Sequence, residues 1–330
     1  MKSRMLRKLE VSAVGMGCMG FSHGYGALPP EEESLRLIRM AYDLGCTFFD
    51  TAEAYGPFVN EELVGKAVKP FRDKIVLSTK FSPYFLPGQE NAEGKLSRGG
   101  IRKSLEDSLK RLQTDYVDLY YQHRVPEGSN VEDVAFWLGE LIQEGKIRSW
   151  GQSESTPAQI RSANAITPMT AVQSEYSLME RKYEADVIPT CEELGIGFVA
   201  FSPMASGFLS GRYTADTKYE GDDVRRVITR FHRENVVANQ PLLDLLYTFA
   251  TFRGVTPAQI SLAWILRKKN FIVPIPGMRK EERILENLGA AGVTLTDEEF
   301  RQLEIELSKI PIHGNRTDKD IQKLGTIRAQ

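Results

Sequence analysis

Eight short apolar segments, most of them closed by a polar residue, alternate along this chain with stretches that read as helices. They lie at residues 11–15, 47–49, 74–80, 116–123, 145–153, 169–173, 197–203 and 271–276. Short runs rich in β-branched and aromatic residues read as buried strands. The stretches between them carry apolar residues at helical spacing. Leu35, Leu37, Ile38, Ala41 and Leu44 form one such stripe, behind Pro29, Pro30 and an acidic first turn of Glu31, Glu32 and Glu33. Proline and acids at that place favour a helix start. Leu105, Leu109 and Leu112 form another, and further helices are expected at 61–68, 134–142, 157–165, 185–194, 242–252, 257–267, 281–288 and 297–307. This alternation requires a parallel sheet with helical crossovers. Eight units in 330 residues predict an α/β fold, a single closed (β/α)8 TIM barrel. No Pro/Gly/Ser-rich linker divides the chain, so residues 1–330 are read as one domain with a polar tail from about 311 to 330.

In such a barrel the working groups lie at the downstream ends of the strands. That rule gathers Asp50, Lys80, His123, Ser153, Gln173, Phe201 and Pro276 around one mouth. Asp50 directly follows a buried strand, and Tyr55 and the chain-breaking Gly56 come shortly after it. A carboxylate in that place is either paired or functional, because an isolated buried charge is too costly. Taken alone, Asp50 reads equally as a helix cap and Tyr55 as an aromatic plug. Lys80 and His123, at the ends of the next two strands, favour chemistry over that reading.

Composition excludes several classes. A 42% hydrophobic content is enough for a large core. Lys and Arg number 42 against 44 Asp and Glu, a net charge of −2, so no field of either sign calls for nucleic acid or an acidic membrane. Cys18, Cys46 and Cys191 are an odd number, far apart, which speaks against a disulfide framework and for a reducing compartment. His23, His123, His232 and His313 lack the close spacing of a zinc motif, so no metal is expected. Neither an apolar leader nor a membrane-length apolar run is present, and a cytoplasmic location is expected.

The stretch from Gly45 to Gly56, with Phe49, Asp50, Thr51 and Ala52 followed by Tyr55 and Gly56, resembles the aldo-keto reductase signature, and the resemblance runs from about Val14 to about Ala290. The resemblance implies a small hairpin over residues 1–10 that closes the bottom of the barrel. It also implies long substrate loops at the C-terminal face, with pocket walls from 21–28, 81–100 and 211–239 and from the tail. A tetrad of Asp50, Tyr55, Lys80 and His123 would reduce aldehydes or ketones to alcohols. Tyr55 is the general acid of that scheme. A free phenol titrates near pH ~10, and a neighbouring ammonium favours its ionised form. Lys80 would supply that ammonium, Asp50 would hold Lys80, and His123 would orient the carbonyl oxygen.

The hydride has to come from a cofactor, because no side chain carries one. The resemblance implies NADPH/NADP+, with NADH weaker. Ser153 and Gln173 match the residues that hold the nicotinamide amide, and Phe201 the aromatic that stacks on the ring. Glu154 stands where many members have Asn. Cys18, Met19, Gly20 and Asp50 are assigned to the cofactor as well. Ser202, Pro203, Met204, Ser206, Gly207, Leu209, Gly211 and Arg212 resemble the pyrophosphate side, although the same run reads as an ordinary strand and turn. Gly277, Met278, Arg279, Lys280, Arg283, Glu286 and Asn287 resemble the adenosine end, where cations opening a helix suit a phosphate. Arg279 and Lys280 otherwise read as solvated charges.

The loop at 81–100 reads either as a pocket wall or as a loop folded on its own aromatics. A second function class shares the fold: cytosolic β-subunits of potassium channels retain the tetrad and act as redox-sensing partners. They carry an N-terminal extension, whereas about ten residues precede the first strand here. The expected partner is therefore a small-molecule carbonyl compound, with no nucleic acid and no membrane. The sequence leaves the substrate and the oligomeric state open.

Overall fold

The computed structural model describes residues 1–89 and 94–328. Strands β1 (Ser3–Leu6) and β2 (Leu9–Ser12) form an antiparallel hairpin. Eight parallel strands follow: β3 (Met16–Gly17), β4 (Phe48–Asp50), β5 (Val76–Phe81), β6 (Leu119–Gln122), β7 (Trp150–Ser153), β8 (Ala171–Glu175), β9 (Gly197–Phe201) and β10 (Ile272–Pro274). Neighbours in sequence are neighbours in the sheet. The ends meet: Gly15 N–H donates to Pro274 O at 3.0 Å, Gly17 N–H donates to Pro276 O at 3.1 Å, and Gly17 bridges Gly277 in parallel.

Glycine is required at that seam. A Cβ on Gly15 would meet the Phe48 ring at 2.8 Å, and one on Gly17 would meet Ile275 O at 2.7 Å. The same crowding corrects one expectation. The first barrel strand is not 11–15 but Met16–Gly17, and Val11 belongs to the hairpin. Leu6 and Val11 point into the barrel beside Phe48, Val76, Leu119, Tyr121, Val199 and Val273, so the hairpin plugs its lower end. Every second strand residue faces inward, as the pleat dictates.

Helices pack around the sheet. They are α1 (Glu31–Asp43), α2 (Val59–Val68), α3 (Arg98–Leu112), α4 (Val131–Gln143), α5 (Pro157–Ile166), α6 (Val187–Leu194), α7 (Arg233–Ala238), α8 (Gln240–Arg253), α9 (Pro257–Lys268), α10 (Glu281–Gly289), α11 (Asp297–Leu307) and α12 (Asp318–Arg328). Local sequence fixes several starts. Thr156 with Gln159, Thr256 with Gln259, and Thr296 with Glu299 form reciprocal capping boxes. No described helix is long and apolar enough to cross a membrane.

Three loop readings change. Residues 211–239 are not one open loop: short turns at Val224–Arg226 and Thr229–Phe231 lead into α7, because Val224, Val227, Ile228 and Phe231 are buried. The tail is not merely polar, since it folds back as α12. In the loop at 81–100, residues 90–93 lie outside the described residues, and α3 begins at Arg98 rather than 101. Tyr84 and Phe85 are exposed there, and among the described residues neither lines the cavities of the site. That loop is instead tied down by charge. Lys95 Nζ meets Glu53 Oε1 at 2.8 Å in a buried pair, and Glu53 Oε1 accepts from Ser82 N–H at 2.6 Å.

The tightest interior contact gives a stability test. A Cβ on Gly151 would come within 2.2 Å of Ala171 O and 2.6 Å of the Tyr121 ring, whereas one on the exposed Gly292 would meet nothing. Gly151→Ala should cost about 1–3 kcal/mol or more and lower Tm. Gly292→Ala should leave stability within about 0.5 kcal/mol. Thermal melts of both variants against wild type measure this.

Candidate active site

The site is assembled at the upper ends of β4, β5 and β6. Strand register places Asp50 opposite Ser78, and Ser78 Oγ donates to Asp50 Oδ2 at 2.8 Å. Lys80, two residues along the same strand, points to the same side. Its Nζ donates to Asp50 Oδ1, to Thr51 O at 2.8 Å and to Tyr55 Oη at 3.2 Å. Gln173 Nε2, from β8, donates to Asp50 Oδ2 at 2.9 Å. Asp50 is 2% exposed and Lys80 is fully buried, so each charge depends on the other. Burial opposes the Lys80 ammonium, but the adjacent Asp50 and Tyr55 oxygens outweigh it and hold its pKa above the ordinary lysine value.

Tyr55 stands on the turn after β4. Thr51 Oγ1 donates to Asn60 Oδ1 at 2.6 Å, and Asn60 Nδ2 donates to Cys18 O and to Ser22 Oγ, each at 2.9 Å. These bonds fasten the turn to the loop after β3, and Gly56 takes the left-handed conformation that leaves it. His123 follows β6, its N–H bonded to Phe81 O at 2.9 Å, and its ring lies 5.6 Å from the Tyr55 ring at an 82° edge-on angle. Burial pushes the His123 pKa well below the usual value, and the nearby charges of Arg124, Lys80, His23 and Arg316 push it the same way. The imidazole is therefore neutral at pH 7 and offers a single N–H. Tyr55 and His123 open together onto a cavity of about 400 Å³. A phenol O–H backed by a fixed ammonium and a neutral imidazole N–H beside it can protonate and hold one oxygen atom.

The other expected residues fall into three groups. Cys18, Met19, Gly20, Ser153, Gln173, Phe201 and Ser202 line this cavity with the tetrad members Asp50, Tyr55 and His123. A second cavity of about 180 Å³ shares Gly20, Tyr25, Ser202 and Gly277 with the first. Pro203, Met204, Ser206, Gly207 and Arg212 line it on one side, and Arg279, Lys280, Arg283, Glu286 and Asn287 on the other. Leu209 and Met278 are fully buried in the core, and Gly211 packs under Tyr247; these three line neither cavity. The backbone decides who faces inward here. Ser202, Ala205, Ser206 and Gly207 all have positive φ, which bends the run sharply, and Ala205 N–H and Gly207 N–H bond back to Ser202 O and Met204 O within it.

Charges at the far end are unequal. Arg212 is paired with Glu282 at 3.1 Å and Glu286 at 3.7 Å, and Arg283 with Glu286 at 2.6 Å. Among the described residues, Arg279 donates to backbone alone, to Ala27 O at 3.0 Å and Tyr25 O at 2.9 Å. Lys280 is exposed at the start of α10, with no carboxylate paired to it among the described residues. Arg279 and Lys280 are thus the cations not already neutralised. Glu154 has a different use from the Asn expected there. It adopts φ 57°, takes Glu175 N–H at 2.9 Å on Oε1, and takes the Tyr183 hydroxyl on Oε2. Two hydrogen bonds thereby hold a glutamate in a conformation that suits asparagine better.

Sequence reasoning assigned pocket walls to the 211–239 loop and the tail without naming residues there; Arg316, Asp318 and Ile321 fill that place at the first cavity and Arg225 at the second, while Arg124 was not expected. Arg124 follows His123 directly. It grips Asp318 of α12 through Nε at 2.7 Å and Nη2 at 3.2 Å. One signal could have found α12: Thr317 and Asp320 form a helix-start pair, with Asp320 N–H bonded to Thr317 Oγ1 at 3.1 Å. Among the described residues no cluster of His, Cys, Asp or Glu could hold a metal ion, and the three cysteines are buried thiols.

Comparison with known proteins agrees with this geometry. Residues 13–306 match the model of the aldo/keto reductase family. The chain is 39% identical over 295 residues to the "Probable aldo-keto reductase 1" of Glycine max, covering 89% of this chain and 85% of that one. It superimposes on a glycerol dehydrogenase from Gluconobacter oxydans with a TM-score of 0.83 at 27% identity, covering 94% and 96% of the two chains. An aldo-keto reductase from Klebsiella pneumoniae in complex with NADPH gives 0.73 at 26% identity, covering 96% and 98%.

The neutral histidine has a measurable consequence. An unfolded histidine takes up a proton near pH ~6.5, and His123 in the folded chain does not. Its contribution to stability is complete above that pH. It is lost as pH falls below it, by up to about 1.4 kcal/mol per pH unit. Proton NMR should show no titration of the His123 ring between pH 8 and 6, and His123→Asn should flatten the acid-side decline in denaturant midpoint. A ring that titrates near 6.5 would contradict the assignment.

Proposed function

Because the chain belongs to the aldo/keto reductase family, we propose that it reduces aldehydes or ketones to alcohols, with NADPH as hydride source and Tyr55 as proton donor. The observation that carries this reading is the Lys80 ammonium, which touches Asp50 and the Tyr55 hydroxyl at once.

Tyr55 Oη gives its proton to the carbonyl oxygen as that oxygen gains negative charge. Lys80 stabilises the phenolate left behind, and Asp50 keeps Lys80 charged and aimed. His123 donates its one N–H to the same oxygen and fixes the orientation of the carbonyl. A single donor of this kind contributes on the order of a hundredfold to a thousandfold in rate. The buried Ser153 and Gln173, paired in register across β7 and β8, present polar groups beside Phe201, which suits an amide-bearing aromatic ring.

The two joined cavities fit a dinucleotide. Gly277 lines both of them, and a Cβ there would stand in open space beside Gly17 O at 3.9 Å, in the passage itself. The small residues Ser202, Ser206 and Gly207, which line the second cavity, suit the close approach of a pyrophosphate. Lys280 and Arg279 at the start of α10 suit the 2′-phosphate that distinguishes NADPH from NADH. When bound, the cofactor supplies the hydride that no side chain can carry.

Tyr55→Phe should lower kcat by a hundredfold or more while leaving the NADPH Kd near wild type, because the phenol proton matters only in the chemical step. Turnover close to wild type on a reactive aldehyde would remove Tyr55 from the role. Lys280→Ala should weaken NADPH about tenfold to a hundredfold and spare NADH. Arg279→Ala should do the same and also loosen the loop at 21–28 that it holds. Titration of both cofactors by protein fluorescence checks this, and equal weakening of both would show that neither residue reads the phosphate.

A further inference from the structure

The first cavity carries two guanidinium groups beside Tyr55 and His123, and they are not equivalent. Arg124 is fully engaged. Nε and Nη2 hold Asp318, and Nη1 donates to His123 O at 2.7 Å and Ser153 Oγ at 3.3 Å. Arg316 lies over Phe201, 5.2 Å from the ring centre, and among the described residues the one carboxylate within ion-pair distance of it is Glu175, at 3.5 Å. Glu175 also takes the buried Arg230 at 2.7 Å on its other oxygen, and Arg230 is shared with Glu180 at 3.3 Å, so Arg316 is paired with Glu175 only loosely.

The carboxylates that line the same cavity are also occupied. Asp50 holds Lys80, Asp318 holds Arg124, and Asp222 accepts from Gly24 N–H at 2.8 Å and Gly26 N–H at 3.1 Å.

We propose that Arg316 selects the substrate by receiving a carboxylate, so that the preferred compounds are aldehydes or ketones that also carry a carboxylic acid. This rests on the carbonyl-reduction reading above. The planar guanidinium fork matches a carboxylate edge, and Arg316 retains donors to offer it. A phosphate dianion fits less well, because one incompletely neutralised cation would face it, with Asp318 and Asp222 close by. The position also accounts for the folded tail: Arg316 is delivered to the cavity by the segment that α12 anchors through Asp318.

The test compares 3- and 4-carboxybenzaldehyde with their methyl esters in the presence of NADPH, for wild type, Arg316→Ala and Arg316→Lys. Wild type should prefer acid over ester by tenfold or more in kcat/KM, with the difference in KM. Arg316→Ala should lower that acid-to-ester ratio about tenfold to a hundredfold. Arg316→Lys should keep part of it, and this separates a lost contact from a misfolded variant. A wild-type ratio at or below one overturns the proposal, as does a ratio that Arg316→Ala does not move. It is equally overturned if Arg316→Ala weakens NADPH itself, measured by fluorescence, because the residue then serves the cofactor. If wild type reduces the esters but not the acids, only this inference fails. If it reduces neither, nor unsubstituted benzaldehyde, carbonyl reduction fails with it.

Discussion

A fully buried ammonium must be neutralised where it lies, and the Lys80–Asp50 pair is the constraint on which the site depends. Removing either partner would strand a charge at a cost of about 3–5 kcal/mol. Ser78 and Gln173 satisfy the remaining carboxylate oxygen, and Thr51 O takes another ammonium proton. Five residues from three strands and one turn are thereby fixed relative to one another. Tyr55 receives what remains of the Lys80 coordination, so the hydroxyl is held where a substrate oxygen can reach it.

The barrel makes that arrangement possible. Parallel strands in register bring Asp50 and Ser78 to one level, with Lys80 one pleat further along on the same side. Glycines at positions 15 and 17 let β3 close against β10, and the hairpin fills the lower end with Leu6 and Val11. The upper end is left to polar groups, and the charges there are organised in pairs. Arg124–Asp318 and Arg230–Glu175 bind the tail and the 211–239 segment to the rim. Their cost in desolvation is offset by position: they shape a cavity whose unpaired donors are few and identifiable.

Much of this was legible in the sequence, for a physical reason. Strand ends are marked by the change from apolar to polar, so Asp50, Lys80, His123, Ser153, Gln173 and Phe201 could be placed at one mouth from pattern alone. Orientation within irregular turns could not. Whether Leu209 or Ser206 faces the cavity depends on positive φ angles at Ser202, Ala205 and Ser206, which leave no periodic trace. Arg212, assigned to the pyrophosphate side, lines the second cavity, but its pairing with Glu282 and Glu286 comes from a distant part of the chain and has no local sequence signal. The tail was expected at the pocket wall, but its helix was not, because its apolar residues are sparse and its anchor joins Arg124 to a residue 194 positions away. The hairpin boundary was misjudged because Val11 fills the barrel from outside the sheet.

The central claim is that Lys80 prepares Tyr55 for proton transfer rather than merely supporting the fold. The direct measurement is the single-turnover rate of aldehyde reduction by Lys80→Met preloaded with NADPH, alongside the cofactor Kd. The account predicts a rate lower by about a hundredfold, close to the loss expected for the missing acid itself, with the Kd unchanged. A single-turnover rate near wild type, in a variant that binds NADPH normally, would contradict it.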